Sequence, residues 1–415
     1  MKWANFLHIY QPPDQKKDLI NEIVIQSYRP IINILKENPR AKLTLNIAAC
    51  LSEQLLHYGY KDVIDNIKDL VQKKQIELTE SSKFHAFLSL LPESEIERQI
   101  KLNHESNKNI FGELYKPRGF HLPELAYHRK IAEIAANLGY QWIILNETSF
   151  AGKLFSKIDT TQIYCLKNLP KFKLFFRSRR LSDLIQRGHV WLADNFIKEA
   201  KKDILENEYF ITAIDGETFG HHRPGLEKFL KNLYESKEIE FTTVSELENF
   251  FPATKEIEPV NSSWGSLESE IAAGIPYTQW NYPGNIIHEK QWEFTYLTID
   301  TIEKHKNDPD YEKAREILDK ALFSCQYWWA GAVPWWEVEY IEKGAYMLRH
   351  AIESLSQAPA EIKEKAKSYY SDIVFTAFDW ERSGKAHEDS MAYTKKIRRE
   401  LGEDEKGVSA VHSKR

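Results

Sequence analysis

Residues 118–146, RGFHLPELAYHRKIAEIAANLGYQWIILN, contain the unit from which we expect the fold to be built. RGFHLPE and YQWIILN are short β-rich runs, and RKIAEIAANLG between them carries apolar residues at helical spacing. Gly139 follows the periodic segment and provides a helix stop. The order strand, helix, strand indicates a parallel β-α-β unit.

The same alternation extends on both sides of this unit, from the N-terminus to about residue 250. Six or seven such units predict an α/β fold with a β/α barrel. The other expected strands are WANFLHIY (3–10), KLTLNIAA (42–49), QIELTES (75–81) and YFITAID (209–215), and the other expected helices cover 21–38, 52–74, 93–111 and 225–236. Two more β-like runs, QIYCLKN (162–168) and KLFFRS (173–178), form either a hairpin excursion or the sixth unit.

The alternation stops near FPATKEIEPVNSS, residues 251–263, and the rest of the chain has helical periodicity. The expected helices cover 288–306, 310–330, 337–355 and 360–385, which predicts a helical bundle. We therefore expect a barrel at 1–255, a helical domain at 256–400 and a disordered tail at 401–415.

Composition narrows the class of partner. A net charge of −5 gives no electrostatic reason to expect nucleic acid or an acidic membrane. The N-terminus lacks a long apolar run and no stretch approaches a membrane span, so we expect a cytoplasmic protein. The three cysteines form no CxxC pattern, and neither GxGxxG nor GxxxxGK occurs, so we expect no disulfide framework, structural zinc site or nucleotide cofactor. Aromatic residues make up 13% of the chain, which suits a sugar-binding surface, although most of them fill the core. The oligomeric state stays open.

Charged and polar residues follow several strands at their carboxyl ends, the face that carries the active site of a β/α barrel. GFHLPELAY places Glu124 there, ITAIDGETFGHH places Asp215 and Glu217, and HIYQPP places His8 and Gln11. Two carboxylates from different strands are what acetal hydrolysis requires, one to attack and one to protonate the leaving oxygen. An acid must keep its proton near neutral pH, and Glu217 and the apolar Ile214 beside Asp215 favour that.

Other interpretations of these residues stay open. An Asp followed by Gly at a strand end is also an ordinary turn. His8, Asp215, His221 and His222 have the donor atoms of a divalent metal site, which would fit a metal-dependent sugar deacetylase. A non-catalytic glycan-binding protein is a further alternative, but two buried carboxylates argue against it. No GxSxG elbow supports a serine nucleophile.

Five motifs in order resemble glycoside hydrolase family 57, whose members act on α-linked glucans and related sugars with retention. They are LHIYQPP, IELTESSKFHAFLSLLP, GFHLPELAY, IDGETFGHH and SSWGSLESEIAAGIPYTQWNYPGNIIHEKQWEF. The resemblance implies a (β/α)7 barrel and a helical domain that completes the cleft. It makes Glu124 the nucleophile and Asp215 the general acid/base. From the residues themselves we expect no metal, because neither HxxxH nor HExxH occurs.

The resemblance also implies a set of substrate contacts. They are His8, Gln11, Glu77, His85, His121, Glu217, His221, Trp264, Glu268, Trp280, Asn281 and His288, to which the run SCQYWWAGAVPWW adds Trp329 and Trp335. The chain departs from the family pattern at three positions. Tyr10 replaces a frequent His, Glu80 a frequent Gly and His121 a frequent Trp. Family members include α-amylases, 4-α-glucanotransferases and α-galactosidases, so hydrolysis versus transfer and the linkage cleaved stay open.

Overall fold

The computed structural model describes residues 1–402, which divide into two compact units, Met1–Trp264 and a second unit that begins at Gly265. The expected boundary at 255/256 falls earlier than this division. Residues 253–257 form a strand of the first unit, and Ser262 makes a β-bridge with Tyr127, so the segment up to Trp264 stays with the strands. Residues 403–415 of the predicted tail lie outside the described residues.

The first unit alternates strands and helices as expected. Its strands are β1 (Lys2–Ile9), β2 (Leu43–Ile47), β3 (Ile76–Thr79), β4 (Gly119–His121), β5 (Trp142–Asn146), β6 (Ile163–Leu166), β7 (Leu169–Arg177), β8 (Tyr209–Asp215), β9 (Glu240–Thr242) and β10 (Ala253–Ile257). Its helices are α1 (Lys17–Ile23), α2 (Arg29–Glu37), α3 (Ala49–His57), α4 (Lys61–Gln72), α5 (Glu93–Phe111), α6 (Arg129–Asn137), α7 (Thr148–Ala151), α8 (Arg179–Gln186), α9 (Ala193–Ala200) and α10 (Leu226–Glu235).

Seven parallel strands close into a barrel in the order β1, β2, β3, β4, β5, β7, β8. One sheet runs β3-β2-β1-β8, and β4, β5 and β7 pair in parallel in the other. Glu80 joins the sheets on one side, because it donates its backbone N–H to Gly119 and accepts from His121. On the other side the Ser178 N–H donates to the Ile211 carbonyl at 2.8 Å. The predicted α/β class is therefore confirmed, and the strand order is the one expected of a seven-stranded β/α barrel.

Both interpretations of residues 162–178 hold in part. β7 is the sixth strand of the barrel, paired in parallel with β5. β6 is an excursion, because it runs antiparallel to β7 and pairs on its other side with β10. Local periodicity is the same for a strand in a hairpin and for a strand in a barrel. The sequence pattern therefore could not distinguish the two interpretations.

Two of the predicted helices are interrupted. Residues 52–74 form α3 and α4, separated at Gly59, whose φ of +90° is readily adopted only by glycine. Residues 21–38 form α1 and α2, joined by a π-helical turn at Val24–Tyr28. This turn places Tyr28 and Ser27 against the segment that follows β8.

The barrel has an apolar interior below its polar mouth. Trp142, Ile144, Phe175 and Ile211 belong to this inner core. Gly119 is required beside it, since a Cβ at that position would lie 2.0 Å from the Trp142 ring. A second core lies between the strands and the surrounding helices. Polar side chains that follow the inner core therefore collect at the carboxyl ends of the strands.

The second unit is helical. Its helices are α11 (Glu268–Ala272), α12 (Ile286–Lys304), α13 (Tyr311–Ala321), α14 (Cys325–Trp328), α15 (Val338–Ser354), α16 (Ala360–Ser383) and α17 (Lys385–Glu400). α15 packs against α12, α13 and α16. α17 is an additional helix that follows Gly384, whose φ is +82°. Across residues 1–402, no helix is long and apolar enough to cross a membrane.

Candidate active site

Glu124 lies in a strained turn directly after β4. Its φ and ψ are 62° and 13°, and φ of the next residue, Leu125, is 45°. Two successive non-glycine residues in the left-handed region are energetically costly, and such strain clusters at functional sites. The turn is held from outside, because the Trp264 N–H donates to the Glu124 carbonyl at 3.0 Å and the Tyr127 N–H donates to Ser262 at 2.7 Å. Glu124 is therefore buried in a fixed orientation.

A column of flat rings lines the mouth of the barrel beside Glu124. His8 stacks between His121 and His85, with ring centroids 4.6 and 4.7 Å apart, and Tyr10 stacks on His85 at 4.4 Å. The interplanar angles of these three pairs are 20°, 23° and 20°. His85 Nδ1 lies 3.7 Å from a Glu124 carboxylate oxygen. Three predicted contact residues are thus brought together with the predicted nucleophile.

These imidazoles are neutral in the folded protein. Burial lowers the pKa of His8 to about 4, and an Asn46 hydrogen bond at 2.8 Å only partly opposes it. Burial and the neighbouring imidazoles also hold the pKa values of His85 and His121 well below their usual range. Because the three imidazoles are neutral, they add no positive charge to the mouth of the barrel. Each neutral ring carries one N–H group that can donate a hydrogen bond to a ligand oxygen.

Asp215 ends β8 in register with His8 of β1. Burial raises the pKa of its carboxyl group well above the usual range, and the charges of Glu217 and Glu124 add to this effect. The Arg177 cation acts in the opposite direction. Asp215 therefore keeps its proton at a pH at which an ordinary aspartate has lost it.

Glu217 is the anchored neighbour of Asp215. Tyr28 donates to its Oε1 at 2.5 Å, Gln11 donates from Nε2 at 3.3 Å, and the Tyr10 N–H lies at 3.4 Å. Burial raises the pKa of Glu217 to about 6, and these hydrogen bonds limit the rise because they favour the ionised form. Glu217 is thus placed to act on Asp215 through its charge.

Several buried polar atoms at the mouth have no hydrogen-bond partner within the described residues. They are His121 Nδ1 at the end of β4, Asn146 Oδ1 at the end of β5, Arg177 Nε at the end of β7 and Thr218 Oγ1 after β8. Buried polar groups are normally paired, so a group of unpaired ones at one end of a barrel needs an explanation. A site that receives the hydroxyl groups of a ligand, or ordered water, provides it.

Two predicted contacts of the first unit lie elsewhere. Glu77 is one layer deeper than Asn46, since it pairs with Thr44, and its carboxylate accepts from Thr44 Oγ1 at 3.2 Å and from the Ser245 N–H at 3.1 Å. His221 Nδ1 lies 2.7 Å from Gln26 Oε1. The structure gives both side chains partners outside the histidine column.

The second unit corrects the interpretation of His288. This side chain is fully buried, accepts from the Tyr282 N–H at 2.9 Å and directs Nε2 to the Tyr327 carbonyl at 2.8 Å. Both ring nitrogens are occupied, so His288 has no atom left for a sugar. Trp280 is likewise fully buried.

The other predicted residues of the second unit are accessible. Trp329 and Trp335 are half-buried and belong to an aromatic cluster. Their ring centroids lie 4.8 and 5.0 Å from the ring centroid of Trp328. Glu268 is partly buried and Asn281 is exposed. The cluster is suited to stacking on sugar rings.

Several residues of the site were not singled out from the sequence. Asn46, Asn146 and Arg177 are polar residues at the ends of apolar strands, the same signal that identified Asp215, and it could have found them. Tyr28 gave no signal, because it lies inside a stretch with ordinary helical periodicity. Within residues 1–402, no three His, Cys, Asp or Glu side chains are arranged to hold a metal ion.

Comparisons with known proteins place this chain among carbohydrate-active relatives. The family model described as glycosyl hydrolase family 57 matches residues 5–259. The putative alpha-amylase of Methanocaldococcus jannaschii is 27% identical over 282 residues, covering 62% of this chain and 58% of the relative. The 4-alpha-glucanotransferase of Thermococcus litoralis is 21% identical over 332 residues, covering 77% and 47%. The chain spans about half the length of the curated relatives it matches.

A solved structure matches over more of its length. The family 57 branching enzyme from Thermococcus kodakaraensis has a TM-score of 0.70 at 15% identity, with 91% of this chain and 96% of that chain covered. This likeness supports the barrel with its helical second unit. The match of the family model over most of the barrel shows that the chain belongs to glycosyl hydrolase family 57.

Proposed function

We propose that this protein cleaves α-linked glucans with retention of configuration and transfers the glycosyl group to water or to another sugar. The observation that carries the proposal is the pairing of Glu124, in a strained turn beside a neutral His85, with Asp215, whose pKa is raised by burial and by two neighbouring carboxylates. Nucleophile and general acid need opposite protonation states, and the environment of Asp215 favours the protonated form that the general acid needs.

The first half of the reaction uses both groups at once. A Glu124 oxygen attacks the anomeric carbon, and the bond from that carbon to the leaving oxygen breaks. Asp215 gives its proton to the departing oxygen. A covalent glycosyl-enzyme remains on Glu124, and Asp215 is left as a carboxylate.

In the second half Asp215 takes a proton from water or from a sugar hydroxyl, whose oxygen displaces Glu124 from the anomeric carbon. The ester on Glu124 carries no negative charge, so one of the charges that raised the pKa of Asp215 is absent at this stage. Esterification of the nucleophile therefore favours the change of Asp215 from acid to base.

The substrate class is supported by the relatives. Those named above are an alpha-amylase, a 4-alpha-glucanotransferase and a branching enzyme, which all act on α-glucans by their names. Neutral imidazoles and unpaired donors and acceptors at the mouth suit the hydroxyl groups of an uncharged sugar.

The arrangement of the histidines favours this function over a metal-dependent deacetylase. His8, His85 and His121 stack face to face, whereas metal ligands converge their lone pairs on one point. His8 Nδ1 is also engaged by Asn46.

The test is turnover of the wild type and of Glu124→Gln on maltooligosaccharides, amylose, pullulan and aryl α-galactosides, with and without EDTA. We expect α-glucan turnover that EDTA leaves intact and that falls by roughly 10⁴-fold in Glu124→Gln, in line with the loss of a nucleophile elsewhere. Product chromatography separates hydrolysis from transfer. The matched control is Glu97→Gln, which alters an exposed carboxylate paired with Lys101. Activity that EDTA removes, or that Glu124→Gln retains, would overturn the proposal.

A further inference from the structure

Arg177 is a buried cation at the barrel mouth with no part in the steps above. It ends β7, in register with Asn146 of β5, and only 2% of it is exposed. Its Nη1 donates to the Ala213 carbonyl at 2.9 Å, two residues before Asp215, and its Nη2 donates to Asp183 Oδ1 at 2.8 Å. The guanidinium thus links the end of β7 to the end of β8.

This link lies at a weak point of the barrel. β7 and β8 are not paired in a ladder, and the Ser178 N–H to Ile211 bond accompanies the Arg177 contact with Ala213. Asp183 neutralises the Arg177 cation, whose charge also interacts with that of Asp215, and this second interaction separates Arg177 from an arginine that only closes the seam.

The charges around Arg177 and Asp215 are interdependent. Asp183, Glu147 and Asp215 favour the Arg177 cation, and Arg179 opposes it. Burial and the charges of Glu217 and Glu124 favour protonated Asp215, whereas the Arg177 cation favours its carboxylate. His8, in register with Asp215, is neutral, and Tyr28 faces Glu217 as a neutral phenol. Arg177 therefore opposes the groups that keep the Asp215 proton in place.

We propose that Arg177 is a positioning residue for the general acid/base, which fixes the end of β8 and stabilises the carboxylate form of Asp215 during the second half of the reaction. The catalytic part of this inference rests on the proposed function. With the leaving oxygen protonated, Asp215 is an anion until it removes a proton from water or the acceptor sugar, and a buried cation lowers the free energy of that state.

The direct test is to measure the pKa of the Asp215 carboxyl by carbon-13 NMR of protein labelled at its aspartate carboxyls. The Asp215 signal is assigned because it is missing from the spectrum of Asp215→Asn. We expect Arg177→Met to raise this pKa and Arg177→Lys to leave it close to the wild-type value, since lysine keeps the charge. Asp183→Asn removes an anion and leaves the cation uncompensated, so it should move the pKa downward. Arg180→Met is the matched control, because Arg180 pairs with Asp203 and Glu199 at the surface.

Kinetics supplies a second readout. On an α-glucosyl fluoride, which needs little acid assistance to leave, Arg177→Met should leave more of Asp215 protonated in the glycosyl-enzyme. At a pH below the raised pKa, breakdown should therefore slow by roughly 10-fold to 100-fold and the covalent form should accumulate. Arg177→Lys should restore most of the rate. A merely structural Arg177 would lower the unfolding temperature without moving the alkaline limb of kcat/KM.

The outcomes are separable. An unchanged Asp215 pKa in both Arg177→Met and Asp183→Asn overturns the inference, whatever the activity. Asp183→Asn keeps the test available if Arg177→Met does not fold. Shifts of the expected signs in a protein without α-glucan turnover would support the electrostatic role of Arg177 and refute the proposed function instead.

Discussion

Glu80 is predicted to hold the barrel closed between β3 and β4. Its fully buried carboxylate accepts from Tyr115 at 2.9 Å, from Tyr140 at 2.8 Å and from His104 Nδ1 at 2.9 Å, and it also accepts from Asn103. Its backbone carries both hydrogen bonds that join the two sheets on this side. Replacement of Glu80 by Ala therefore removes the acceptor for four donors at a seam next to His121.

The loss of stability depends on which of the four donors stay shielded from solvent after the substitution. Asn103 and Tyr115 are fully buried, and each buried donor left unpaired costs about 1–3 kcal/mol. Asn103 Nδ2 can retain a bond to the Tyr115 hydroxyl at 3.2 Å, while His104 reaches solvent. We therefore expect Glu80→Ala to lower the free energy of unfolding by about 2–4 kcal/mol, which corresponds to roughly 5–15 °C in unfolding temperature.

The assay is calorimetric unfolding of the whole chain, with the transition of the first unit compared between variants. Glu97→Ala is the control, since Glu97 forms an exposed pair with Lys101 and should change stability by less than about 0.5 kcal/mol. The Glu80 hydrogen bond raises the pKa of His104. The stability from this pair is therefore complete below about pH 6.5 and is lost as pH rises through the folded-state pKa. A Glu80→Ala protein as stable as Glu97→Ala would refute this reasoning.

Further predictions concern the carboxylates and the second unit. Asp215→Asn should lose roughly 10²–10⁴-fold of turnover on maltooligosaccharides but much less on an α-glucosyl fluoride, measured by initial rates, because the fluoride needs little protonation. Glu217→Gln removes a charge that raises the pKa of Asp215, so the alkaline limb of the kcat/KM profile should move to lower pH. An alkaline limb that stays in place would show that the charge of Glu217 does not influence the pKa of Asp215. His288→Ala should destabilise the protein by about 2–4 kcal/mol in urea titrations, because the Tyr327 carbonyl loses its donor, while KM stays within about twofold; a large rise in KM would restore the substrate-contact interpretation.

The periodicity of apolar residues predicts many of the helices and strands of the fold. α5 occupies Glu93–Phe111, the predicted helix, because Pro92 starts it and the glycine at 112 stops it. The alternation of strands and helices was sufficient to predict a barrel. The double role of β7 was not, because pairing with β5 on one side and β6 on the other is decided by tertiary contacts.

The rule that polar residues end apolar strands was effective but was applied unevenly. It identified His8, Glu124 and Asp215, and it applies equally to Asn146 and Arg177. The column of neutral imidazoles could not be predicted, since stacking of His8 on His85 and His121 depends on strand register. His288 illustrates the opposite limit, because a motif gives a position but not the direction in which a side chain points.

Trapping of the glycosyl-enzyme is the most direct test of the central claim. Asp215→Asn, incubated with an α-glucosyl fluoride, forms the covalent form but breaks it down slowly, so peptide mass spectrometry can locate the sugar. The account predicts one glucosyl group on the peptide that contains Glu124 and product of retained anomeric configuration. A glucosyl group on another carboxylate, or product of inverted configuration, would contradict it.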